Sequence, residues 1–287
     1  MLHRLFVQRR SDAAEKRGGP CGEIVAFLFA YLLLSLFPSL AMLLLSPLLP
    51  SLSTVLSLLF TSVAILPLLL FLKLSGREKA EALYFSRASA RPLYLLFLPL
   101  GMGLLVLTVG ILVMLGAYGF VGASSSHLSL VPLLFLAYLV QGSAEELLCR
   151  GFLMSSLCAS YGGVRAALIS AAVFSFMHIF NPAISVIGLV NIFLFGLVFA
   201  SITQKTGSIL PPSLLHAGWN FSVSLFGVQI SGTEPSFSVF MLERRKHFLS
   251  GGAFGPEGSP VLTGLLVVSL FVLLFLYSRV PARKDNV

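Results

Sequence analysis

The sequence predicts an all-α, polytopic membrane protein, a bundle of about eight transmembrane helices, and three observations carry that reading. Hydrophobic residues make up 57% of the 287 residues and charged residues only 10%, against about 25% charged in soluble globular domains. The apolar residues fall in blocks of roughly 17 to 29, long enough to cross a hydrocarbon core of about 30 Å as helix. Runs such as Leu68-Leu69-Leu70-Phe71-Leu72 lack the period-two alternation of a membrane β-barrel. Backbone groups in lipid must bond within their own segment, which leaves helices.

Taken in order, the blocks give spans at Ile24–Leu45, Leu52–Leu72, Leu93–Ala117, Leu130–Cys158, Val164–Phe180, Ile184–Gln204, Ile209–Val228 and Val261–Ser278. Met1–Glu23 is a basic leader, long for a signal-peptide n-region and not followed by a clear small-residue cleavage site, so the first span is read as retained. Residues 24–287 then form a single membrane domain. The connections are short apart from Lys73–Pro92 and Gln229–Pro260. The second of these is read as a solvated external loop, with its MLERRKHF stretch as an alternative short surface helix.

The formal net charge is +8. It sits at the termini and in short connections, which points to membrane orientation rather than to nucleic acid. With the N-terminus inside, fifteen Lys and Arg residues fall in cytoplasmic segments and three (Arg244, Arg245, Lys246) outside, so both termini are expected in the cytoplasm. The absence of a long targeting leader favours a prokaryotic plasma membrane. Cys21, Cys149 and Cys158 have no metal-binding spacing and imply no disulfide framework.

The fourth span stands apart, because it reads Gln141-Gly-Ser-Ala-Glu145-Glu146-Leu-Leu-Cys-Arg150. A charge at mid-membrane costs about 2.5–3.5 kcal/mol on insertion scales and is a functional candidate by default. Glu146 and Arg150, at i,i+4 with the acid first, are placed to pair on one helix face. Glu145 lies about 100° around the helix, on the face of Gln141 and Cys149, and needs a partner from another span. His178 ends the run Phe174-Ser-Phe-Met-His178, and His216 opens His216-Ala-Gly-Trp-Asn220, which puts imidazole and carboxamide on one face. Trp219 is the only tryptophan and could wall such a site. Pro211-Pro212 opens this seventh span, where prolines fit the first turn.

Each feature has a plain structural reading: intramembrane His and Asn often bond between helices, and a Glu–Arg pair can be purely structural. A carboxylate, two imidazoles and a carboxamide together suit hydrolysis. The carboxylate and an imidazole can activate water as general base, and a second His with an Asn can donate to an oxyanion. The competing possibility is a metal, since two His and a Glu are plausible zinc ligands.

EELLCR, FSFMH and HAGWN resemble, in order, the three motifs EExxxR, FxxxH and HxxxN/D of the CAAX protease and bacteriocin-processing (CPBP, or Abi) family. That membrane family includes the type II CAAX prenyl endopeptidases. Arg150-Gly151 before an apolar stretch and Gly207-Ser-Ile-Leu-Pro ahead of His216 fit as well. The resemblance covers about 130–226 and says little about the first three spans. It implies that Glu145 with His178 activates the attacking water, that His216 and Asn220 form the oxyanion hole, and that Glu146 and Arg150 support the site. It further implies a metal-independent glutamate protease without cofactor, although family members are often labelled metalloproteases, so zinc stays open. The substrate would be a membrane-associated protein or peptide, with prenylated proteins and bacteriocins as the family's two precedents.

Other intramembrane proteases fit less well. No His is followed by Glu, which removes HExxH zinc proteases, and the only aspartates are the near-terminal Asp12 and Asp285. Ser143, Ser175 and Cys149 are weak nucleophile candidates. Three further readings stay open: a non-catalytic immunity or scaffold protein on the same fold, a zinc-dependent hydrolase, and a proton-coupled transporter. The transporter would need paired broken helices in two repeated halves, whereas the polar cluster lies in one half only. Straight helices would set Glu145, His178 and His216 at depths differing by roughly ten ångström. Tilt, or an irregular start at Pro211-Pro212, would be needed to join them.

Overall fold

A computed structural model describes residues 19–45, 92–245 and 248–278, with isolated positions between 47 and 73. Much of the expected span Leu52–Leu72, most of the leader, most of the Lys73–Pro92 connection and the last nine residues lie outside the described residues. Helix α1 (Gly19–Leu45) is followed by a 3₁₀ turn (Pro92–Leu96) that runs into α2 (Phe97–Met114). Next come strand β1 (Tyr118–Ala123), a short 3₁₀ turn, and α3 (Val131–Glu146), which continues as a π-helix (Leu147–Met154) into α4 (Ser155–Phe176). Helices α5 (Val186–Thr206) and α6 (Leu210–Leu225), strand β2 (Phe240–Arg244) and α7 (Pro260–Ser278) complete the chain.

The protein is helical, as the sequence implies, and the described residues show fewer clear spans than the eight expected. Among the described residues three helical stretches are long and apolar enough to cross a membrane: Pro92–Met114, Leu128–Cys158 and Val186–Thr206. The apolar stretches of α4 and α6 are shorter for identifiable reasons. Gly162 (φ +77°) breaks α4 early, and its remaining apolar stretch Ser160–Phe176 ends before the turn that carries Pro182. The expected seventh span is α6, only 16 residues, and every residue from Pro211 to Ser224 is buried. At 1.5 Å per residue it is about 24 Å long, and it forms the centre of the bundle.

Small residues make that central position possible. α6 is clasped between α2 and α3. A Cβ on Gly218 would run into the Leu98 carbonyl, and one on Gly101 into the Leu215 carbonyl. Gly142 of α3 lies against the Ala217 backbone in the same manner. Without a hydrophobic force between helices in lipid, such close backbone approach supplies the packing. α5 packs on α4 and α7, while α1 leans on the π-helix and α4. Ser185 caps α5 by accepting from Gly188 N at 3.0 Å, and Gly207 (φ +68°) ends it in the left-handed conformation glycine tolerates.

The chain also forms a small sheet, which the sequence reading lacked. β1 pairs antiparallel with β2, Tyr118 opposite Arg244, with a bulge between Phe120 and Gly122. The first half of the MLERRKHF stretch, Met241–Arg244, is therefore strand, paired with β1; Lys246 and His247 lie outside the described residues. Burial pushes the Tyr118 phenol up to about 12 despite the nearby Arg244, so it stays a neutral donor to Ser250 O at 3.1 Å. The strand leads the rest of segment 229–260 back over the bundle, where Phe254 and Glu257 are buried.

Candidate active site

A cavity of about 420 Å³ lies among α1, α3, α5, α6 and the turn after α4. Its lining includes Glu145, His178, His216 and Asn220, so the residues the sequence singled out share one space. The depth difference is bridged by local geometry. His178 stands in the turn beyond Phe176, α6 is short, and α3 changes to a π-helix directly after Glu146. The wider π turn is a feature often met at functional sites. Its Cys149 carbonyl accepts from Ser170 Oγ at 2.9 Å, and those of Gly151 and Phe152 accept from Ser155 Oγ.

The two adjacent glutamates have different surroundings. Glu146 is fully buried, whereas the Glu145 side chain keeps 20% of its surface and lines the cavity. Glu146 Oε1 accepts from Arg150 Nη1 at 2.8 Å, the i,i+4 pair expected from the sequence. Arg150 donates its other terminal nitrogen to the Gly196 carbonyl at 3.1 Å. Its guanidinium lies 4.4 Å from the Phe174 ring centroid and 5.2 Å from that of Phe199. A buried charge is tolerated only when paired and bonded in this way.

His216 stands between the acids. Its Nδ1 is 3.2 Å from Glu146 Oε1 and its Nε2 is 3.9 Å from Glu145 Oε2. The ring stacks on Phe199 at 5.1 Å and meets Phe174 edge-on at 6.0 Å, so the two rings that hold Arg150 also orient His216. The ring can donate from Nδ1 to Glu146 and, when protonated, from Nε2 into the cavity as well. His178 places Nδ1 2.8 Å from the Phe174 carbonyl. A carbonyl can only accept, so Nδ1 carries the proton and Nε2 of the neutral ring is the basic nitrogen.

Gln141 completes the set, and the sequence reading gave it only as a neighbour of Glu145. Asn220 Nδ2 donates to Gln141 Oε1 at 3.0 Å, and Gln141 Nε2 donates to Glu145 Oε1. That chain fixes one Glu145 oxygen and spends one Asn220 proton, leaving the second for a ligand. Glu145 Oε2 is buried without a hydrogen-bond partner among the described residues. Such an atom inside a polar cavity is placed to receive a water or a substrate group.

Tyr31 of α1 and Glu257 of segment 229–260 also line the cavity, and neither stood out in the sequence. Tyr31 is one hydroxyl in an apolar run. Glu257 is a lone acid in a Gly/Pro-rich stretch that reads as exposed loop, yet it is 5% exposed. Neither Cys149, which is fully buried, nor Ser175, whose Oγ donates to Leu189 O at 2.8 Å, lines the cavity. Among the described residues no three His, Cys, Asp or Glu side chains are arranged to hold one metal ion.

Apolar helices long enough to span a bilayer, wrapped around a buried acid–imidazole–amide cavity, define a membrane protein with the groups of a hydrolytic site. Residues 127–222 match the family model described as type II CAAX prenyl endopeptidase Rce1-like, so this part of the chain is similar to a protease family. The matched stretch contains Glu145, Glu146, Arg150, His178, His216 and Asn220 and stops before Glu257. No curated protein and no solved structure matches the chain.

Proposed function

We propose that this chain is an intramembrane endopeptidase hydrolysing a peptide bond of a membrane-associated or lipidated protein or peptide. Glu145 and His178 take the proton of a water as it attacks the carbonyl carbon. His216 Nε2 and the free Asn220 proton donate to the oxyanion that forms, in a space that excludes bulk water and so strengthens them. The proton held by the acid–imidazole pair then passes to the leaving amine, and the peptide bond breaks. Glu146 and Arg150 hold His216 rather than touch substrate.

The observation that supports this reading is the partnerless Glu145 Oε2, in a cavity that His178, His216 and Asn220 also line. The protein works without a cofactor, with zinc as the alternative to be tested. It sits in a prokaryotic plasma membrane, crossed by several of its helices, with both termini in the cytoplasm. Prenylated proteins and bacteriocin precursors are the two substrate classes to try first.

The test compares protein termini in membranes of cells carrying wild type or Glu145→Gln at matched expression. Termini present only with wild type support the reading and identify substrates. Identical sets in the two cell lines favour a scaffold or immunity role on the same fold.

A further inference from the structure

The site proposed above leaves one buried acid without a role. Glu257 lies beyond the matched stretch, in a short 3₁₀ turn (Pro256–Gly258), and its side chain lines the cavity. Its Oε1 accepts from Trp219 Nε1 at 3.0 Å. Its Oε2 accepts from Ser231 N at 2.7 Å and from Ser231 Oγ at 2.6 Å. Hydrogen bonds to an ionised acceptor are the strong ones, and here three of them tie α6 to the turn 230–233.

The acid cannot drift to suit these partners, because its backbone is held independently. Asn191 of α5, fully buried, donates from Nδ2 to Glu257 O at 2.7 Å and to Ser259 O at 2.9 Å. Its Oδ1 accepts from Thr263 Oγ1 of α7 at 2.7 Å. The turn on the other side is equally constrained. Ser231 has φ +48°, and Gly232 N donates to Phe254 O at 3.2 Å. A Cβ at Gly232 would meet the Pro182 carbonyl, and one at Gly255 the Gln229 carbonyl.

Trp219 is the consequential partner. It precedes Asn220 and follows His216 by three residues on the same helix. Its ring packs against Phe195 with centroids 4.9 Å apart, in the cavity wall. We infer that Glu257 is a positioning residue: it holds the Trp219 indole and the turn 230–233 as a fixed wall and roof, and so sets His216 and Asn220 against Glu145. Its effect on rate rests on the endopeptidase reading; its hold on Trp219 does not.

Trp219 is the only tryptophan, so the full chain labelled with ¹⁵N-tryptophan gives one indole N–H resonance. A carboxylate acceptor moves that proton downfield. In Glu257→Gln the weaker neutral acceptor is expected to shift it upfield, and in Glu257→Ala further still. The yield of termini that depend on Glu145 is expected to fall at least about tenfold in Glu257→Ala and by less in Glu257→Gln, whose single acceptor oxygen can serve one of the two partners while its NH2 faces the other. The Ser231 amide should exchange with deuterium faster in Glu257→Ala.

An unmoved indole resonance overturns the inference, as does a wild-type yield in Glu257→Ala with the resonance shifted. If the alanine variant does not fold, the near-isosteric Glu257→Gln carries the same reading: an unmoved resonance overturns the inference and an upfield shift supports it. If wild type itself produces no Glu145-dependent termini, the endopeptidase reading falls, and the indole resonance still decides whether Glu257 holds Trp219.

Discussion

His216 Nδ1 lies 3.2 Å from Glu146 Oε1, the same carboxylate oxygen that accepts from Arg150 at 2.8 Å. Glu146 therefore binds two positive or potentially positive groups while its neighbour Glu145 faces the cavity with one oxygen free. One acid organises the site and the next is left available for chemistry. The predictions below follow from that division of roles.

Glu145→Gln keeps the size and the bond from Gln141 but removes the proposed base. It is expected to abolish cleavage while expression and melting temperature stay near wild type. His178→Ala should act in the same direction, with a loss of about 10²–10⁴-fold, the usual contribution of a positioned acid or base. Full activity in either variant would refute the assignment.

Asn220→Ala removes the proposed oxyanion donor and should lower turnover by about 10²–10³-fold with little change in substrate binding. It also frees Gln141 Oε1, so Glu145 loses part of its support. Separate measurement of kcat and KM on an identified substrate checks the prediction.

Arg150→Ala leaves the fully buried Glu146 without its cation and should destabilise the protein by about 3–5 kcal/mol, the cost of breaking a buried pair from one side. Glu146→Gln, which removes a charge but keeps an acceptor, should be milder. Melting of the two variants in detergent decides the order.

Gly218→Val drives a side chain into the Leu98 carbonyl of α2, where backbone cannot move aside. A loss of at least about 1–3 kcal/mol is expected, together with loss of activity, because the same helix carries His216 and Asn220. Gly103, whose added Cβ would meet nothing within 4 Å, is the matched control.

Chelators should leave the Glu145-dependent termini unchanged, since the acids near His216 are engaged with Arg150, Gln141 and the imidazole itself. Loss of the termini with chelator and their return with zinc would establish the metal-dependent version.

What the sequence made legible follows from what membrane burial makes expensive. Charged and amide groups in apolar runs are rare, so Glu145, Glu146, Arg150, His178, His216 and Asn220 stand out, and the i,i+4 rule pairs Glu146 with Arg150 correctly. The same rule cannot foresee the π-helix from Leu147, which depends on partners such as Ser170 far along the chain. Nor does hydropathy distinguish a spanning helix from one such as α6, whose apolar surface is spent on neighbouring helices. Glu257 was hidden by its surroundings: Gly251, Gly255 and Pro256 look like solvated loop, yet positive-φ turns at Gly251 and Gly255 fold the segment back onto Trp219. The β1–β2 pairing joins strands more than a hundred residues apart, and no local pattern announces it.

The most direct test of the central claim uses purified protein in lipid vesicles. Wild type and Glu145→Gln are each mixed with membranes from cells lacking the chain, and new protein termini are identified by mass spectrometry. The account predicts a defined set of new termini with wild type, near a membrane anchor or hydrophobic segment, and none with Glu145→Gln. The same new termini with both proteins, or none with wild type, would contradict it.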